Sequence, residues 1–270
     1  MLVRRYGTFA AKLSQKVDMS NSENANPRAA ISLPPLRTWD FLETTLVVLI
    51  ADGVFNLAGG LAVTLLLSAY GGTRALSPAE FQALWPEGRW QGTFLIAAAL
   101  PTIAVLWVAI RMASREFAEY LALNWPRRRE LLGALGIMAI VVLAEGFVAS
   151  FVGAQKPATD FYLVVGGTGG LLILLIGGCI AAPIVEEFVF RGFMFRGWSQ
   201  SFLGPIGAIV LTSAVWAVNH TQYDWFGRLE IFVIGLVLGH FRWRSGSTWL
   251  TVMVHSALNI FLFFVKGPYV

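Results

Sequence analysis

Charge is scarce in this sequence. Asp, Glu, Lys and Arg make up 13% of its 270 residues, about half the share of an ordinary soluble domain. With glycine counted and tyrosine left out, apolar residues reach about 64%, against roughly 45–50% in such domains. A water-soluble chain of this length lacks the polar residues to cover its surface. That excludes a soluble enzyme, a nucleic-acid binder and a disordered scaffold, and leaves a multi-pass membrane protein. The one cysteine, Cys179, cannot form an intramolecular disulfide or a multi-thiolate metal site, and in its apolar run it reads as a small core residue. A secretory signal peptide is also missing. Residues 1–38 carry scattered basic side chains with Ser, Asn and Pro, and read as a flexible basic cytoplasmic tail ahead of a helical membrane domain over 39–270.

What is abundant is long apolar runs, and crossing the hydrocarbon takes roughly 20 helical residues. Seven runs qualify: Phe41–Tyr70 (with Glu43 and Asp52), Gly92–Ile110, Leu131–Gln155 (with Glu145), Phe161–Val185, Phe202–Asn219, Phe226–Phe241 and Ser247–Val265. An eighth follows if the overlong first run is two segments. In lipid each must satisfy its backbone internally, so the expected fold is all-α, a polytopic bundle of seven to eight spans.

The net charge of +4 reads as topology rather than as a polyanion site. Arg4, Arg5, Lys12, Lys16, Arg28 and Arg37 lie in the tail. Arg111, Arg115 and Arg127–Arg129 lie between the second and third runs, and Arg242 and Arg244 between the sixth and seventh. Gly71–Gln91 and Lys156–Asp160 are nearly charge-balanced. The positive-inside rule puts the basic set, and the N-terminus, on the cytoplasmic side of the cell membrane. Gly166/Gly170 and Gly235/Gly239 have small-residue spacing, read as plain helix packing in a chain with 27 glycines.

Ionisable groups in apolar helices are costly and mark candidate sites. Three clusters stand out. In Glu186-Glu187-Phe-Val-Phe-Arg191, Glu187 and Arg191 are four apart and share a helix face, whereas Glu186 lies roughly 140° from Arg191. Arg191 therefore pairs with Glu187 and leaves Glu186 for chemistry, as a general base. Pro183 cannot donate to Cys179, so a kink or a freed carbonyl is expected beside it. Trp216 and His220, also four apart, let an indole limit the rotamers of the imidazole. His255 and Asn259 present a donor and an amide on one stripe. Each cluster alone is equally a salt-bridged helix end, a core histidine or interhelical hydrogen bonding. Two of only three histidines fall in these clusters, and the third, His240, reads as interfacial.

Other intramembrane hydrolase patterns are absent: no H-E-x-x-H, no Gly-Asp pair, no Gly-x-Ser-Gly. Ser245 and Ser247 read as ordinary turn residues.

The ordered set E-E-x-x-x-R, aromatic-x-x-x-H and H-x-x-x-N, each on its own apolar helix, resembles the CPBP family of intramembrane proteases, which includes the type II CAAX prenyl endopeptidases and the Abi bacteriocin-immunity proteins. The match covers about Ala182–Asn259, within a catalytic core of about 160–265, and departs from the family in having Trp216 where Phe is usual. The resemblance implies hydrolysis of a peptide bond in a hydrophobic or membrane-associated substrate. Glu186 and His220 would activate water, His255 and Asn259 would stabilise the oxyanion, and Glu187 and Arg191 would support them. No cofactor is firmly implied. Glu186, His220 and His255 could supply an O/N/N set to zinc, and a metal-free Glu/His site is equally consistent, with Asn259 better suited to an oxyanion than to zinc.

Depth gives a check. Bringing His220 level with the other residues requires the fifth helix to start late, near Ile209, with Phe202–Ala208 along the interface. Two other readings compete. A non-catalytic binding or immunity protein would scatter these residues, and a transporter would gather Glu43, Asp52, Glu145 and Glu186 around a midplane site.

Overall fold

The computed structural model describes residues 37–70, 77, 79–80, 87–152 and 167–266. The basic tail, apart from Arg37 and Thr38, lies outside the described residues, as do Lys156–Asp160, Gly166 and most of Gly71–Gln91. Among the described residues each of the seven apolar runs contains a helix, and no strand occurs. The helices are α1 (Phe41–Tyr70), α2 (Gly88–Met112), α3 (Arg128–Val152), α4 (a composite over 167–199), α5 (Gly204–Asn219), α6 (Trp225–Ser245) and α7 (Thr248–Lys266).

Five of them, α1 to α4 and α7, are long and apolar enough to cross a membrane. The eighth span, which needed the first run to be two segments, is not formed, and the remaining apolar helices are shorter or more charged. The first run is a single helix rather than two. Of the rest, α5 has only 16 residues, and α6 carries Arg228, Glu230, Arg242 and Arg244.

The basic segments meet at one end of the bundle. The Arg37 amide donates to the Ala113 carbonyl (3.3 Å), and the Thr248 amide to that of Ala122 (2.9 Å). Arg196, near the end of α4, reaches the carbonyls of Glu119 (2.9 Å) and Tyr120 (3.2 Å) and the Glu119 carboxylate (2.8 Å). Arg115 shares that carboxylate at 2.6 Å, and its hydrogen bond holds the Glu119 carboxyl below the usual carboxylate range. The serines nearby behave as turn residues: Ser247 accepts from the Leu250 amide and caps α7.

Helix α4 is the most enclosed span. It reaches Ser199, and inside it two π-helical stretches, Gly177–Ala181 and Glu187–Met194, flank the α-turn Ala182–Glu186. The expected disturbance at Pro183 thus takes the form of π turns. Every residue from Glu187 to Met194 is buried. Helix α2 crosses α4 at Gly92 and Gly177, where a Cβ on Gly177 would stand 2.7 Å from the Gly92 Cα. Only paired glycines permit that approach. Gly235 and Gly239 pack α6 on α5 within the chain, since a Cβ at either would meet Ser213 or Ile209 at 2.9 Å.

Candidate active site

The site forms where α4, α5, α6 and α7 meet. Glu187 is fully buried. Its Oε1 accepts from Arg191 Nη1 (3.2 Å) and lies 3.0 Å from His255 Nδ1. Arg191 Nη2 donates onward to the Gly235 carbonyl of α6 at 3.4 Å. The expected pairing of Arg191 with Glu187 is present, and Glu186 is half-buried.

Glu186 is held from α5. The Trp216 indole N–H donates to Glu186 Oε2 at 2.6 Å. The Trp216 ring has the Arg191 guanidinium 4.3 Å from its centroid, a cation–π contact worth about 2 kcal/mol where water is excluded. His220 and His255 stand edge-on to the same ring at 5.1 and 5.3 Å. Trp216 is therefore the common neighbour of Glu186, Arg191 and both histidines. Its packing against His220 follows from the i, i+4 spacing, whereas its donor role does not, the signal for that being an indole where the resembled family has Phe.

Hydrogen-bond partners fix the imidazole tautomers. His220 Nδ1 lies 2.7 Å from the Trp216 carbonyl. A carbonyl only accepts, so Nδ1 carries the proton and Nε2 of the neutral ring is an acceptor. His255 Nδ1 faces a carboxylate and is protonated by the same argument. Asn259 sits one turn beyond His255, and its Nδ2 donates to the Gly178 carbonyl at 2.9 Å.

His220 ends α5, and α5 begins at Gly204 (φ +60) with Pro205 in its first turn. This corrects the expected start near Ile209. Trp216, one turn inside the helix, makes the contact to Glu186, and His220 packs edge-on against its indole. Tyr223, which the sequence reading missed, lies in the following turn with its ring 6.1 Å from that of His220. Burial first, then the charges of Glu186 and Glu230, push its phenol up to about 12.

The zinc set fares differently. Among the described residues no three His, Cys, Asp or Glu side chains are grouped so as to hold a metal ion. Glu186, His220 and His255 are arranged around the Trp216 indole instead. Of the early acids, Glu43 is bonded to Arg37 at the start of α1, and Asp52 is exposed on α1. The cluster is built from α4 to α7. His240 is exposed, edge-on to Trp243 at 6.3 Å.

The fold and this buried polar centre define an all-α, multi-pass membrane protein. Residues 168–261 match the family model described as type II CAAX prenyl endopeptidase Rce1-like. This matched segment contains Glu186, Glu187, Arg191, His220, His255 and Asn259. A 24.3 kDa protein of Escherichia coli, described as uncharacterized, is 33% identical over 170 residues, or 62% of this chain. The chain spans 66% of that relative's length. No solved structure matches the chain.

Proposed function

We propose that this protein is an intramembrane endopeptidase that hydrolyses a peptide bond in a hydrophobic or membrane-associated substrate. The observation carrying this reading is the direct hydrogen bond from Trp216 to Glu186 beside His220, which joins a carboxylate and an imidazole from different helices in one low-dielectric site. The match of residues 168–261 to the type II CAAX prenyl endopeptidase Rce1-like family model supports the reaction class.

With Oε2 held by the indole, Glu186 Oε1 takes the proton of the attacking water, and His220 Nε2 accepts from the same water and aims it. The water oxygen attacks the scissile carbonyl carbon, and the carbonyl oxygen becomes an oxyanion. His255 Nε2–H and Asn259 Nδ2–H stabilise it, preorganised donors being most effective where water is excluded. Donation from His255 Nε2 requires the doubly protonated ring, and with it the charges of Glu186, Glu187, Arg191 and His255 sum to zero. A buried cluster calls for such balance. Collapse of the intermediate breaks the C–N bond, and Glu186 returns its proton to the leaving amine. Glu187 and Arg191 touch no reacting atom and act by holding His255.

The basic end of the bundle faces the cytoplasm in this reading, with the N-terminus on the same side of the plasma or inner membrane. The test is cleavage of pooled quenched hydrophobic and prenylated peptides by the detergent-purified protein beside Glu186→Gln. Cleavage that disappears in the variant supports the reading. Equal cleavage by both removes Glu186 as the base.

A further inference from the structure

Within α4 the Ala182 amide donates to the Gly177 carbonyl, five residues back, which is π spacing. In the same register the Gly178 carbonyl would receive residue 183, and Pro183 has no N–H. An unsatisfied carbonyl inside a membrane is costly. Here it is taken by a side chain from another span, Asn259 Nδ2 at 2.9 Å. That nitrogen carries two N–H groups. Committing one to Gly178 fixes the plane of the carboxamide and leaves the second with a set direction, one helical turn from His255.

We propose that Pro183 is a positioning residue for Asn259. By withholding a backbone donor from Gly178, it creates the acceptor that orients the Asn259 amide toward the oxyanion. Proline is the poorest helix former, so in this account α4 gives up helix stability at Pro183 for the orientation of a group on α7. The inference rests on the endopeptidase reading for its catalytic consequence, but the Pro183–Asn259 coupling itself does not.

Pro183→Ala separates this role from a merely structural one. Alanine brings an N–H that competes for the Gly178 carbonyl and fits a helix better. The expected result is a kcat lower by about tenfold or more, with KM little changed and Tm in detergent unchanged or raised. An unchanged kcat, or a Tm that falls together with kcat, overturns the proposal. A second arm needs no turnover. Asn259→Leu should lower Tm clearly when Pro183 is present and much less in the Pro183→Ala background, where the new amide serves Gly178. Equal losses in both backgrounds overturn the coupling. If the wild type and Glu186→Gln cleave equally, Glu186 is not the base, while this stability cycle still reports on Pro183 and Asn259.

Discussion

The indole nitrogen of Trp216 stands 2.6 Å from Glu186 Oε2, and the face of the same ring carries the Arg191 guanidinium. One side chain thus fixes the proposed base and packs on the ion pair behind it. A hydrogen bond to a charged acceptor contributes about 1.5–3 kcal/mol. Trp216→Phe keeps an aromatic ring in place and removes the donor together with part of the ring surface packed on Arg191. The expected kcat is about tenfold to a hundredfold lower, with KM nearly constant. Steady-state kinetics on any cleaved peptide decides the matter, and a wild-type kcat would mean that Glu186 is oriented by something else.

Glu187 and Arg191 are both essentially inaccessible to solvent. Removing one partner of such a pair leaves an uncompensated charge, at a cost of about 3–5 kcal/mol. Arg191→Leu is therefore expected to unfold far more readily than wild type in a denaturation series. Glu187→Leu with Arg191→Leu should recover much of that loss, because a matched apolar pair avoids the desolvation penalty. The double variant should be stable and inactive, since His255 loses its orienting carboxylate.

Tyr223 gives a pH signature outside the spans. Its phenol is displaced from 10.0 to about 12, so in the folded chain it stays protonated while the unfolded chain ionises. Its stabilising contribution is present below pH 10 and is lost as pH rises toward 12. Tyr223→Phe should flatten that part of the wild-type Tm profile and leave the curve near neutral pH unchanged in shape. Parallel profiles from pH 9 to pH 12 would contradict the burial of this phenol.

The helices were legible because lipid permits little else. Apolar length alone delivered all seven, and the i, i+4 argument correctly assigned Arg191 to Glu187. Three features were not legible, each for a physical reason. The π stretches in α4 depend on how Pro183 and the neighbouring helices redistribute carbonyl partners, and no residue pattern encodes that locally. The start of α5 was not legible because the late start rested on bringing His220 level with the other residues, whereas Trp216, one turn earlier, makes the contact to Glu186. The place of Trp216 against Glu186, His220 and His255 was not legible because composition counts donors and does not reveal what packs among them. Here that is an indole.

At 16 residues, α5 is about 24 Å long, shorter than the roughly 30 Å hydrocarbon thickness. It also presents Phe202 and Ile206 outward near its start. A bilayer meets such a short wall by thinning around it. Such a depression beside α5 would shorten the path from water to Glu186 and, under the proposed function, the distance a membrane-bound peptide rises to reach it. Hydrophobic mismatch becomes a rate variable. Reconstituted into lipids of increasing acyl length, the protein should turn over fastest in thin bilayers and slow as the chains lengthen. Folding, read by proteolysis of the same vesicles, should stay constant.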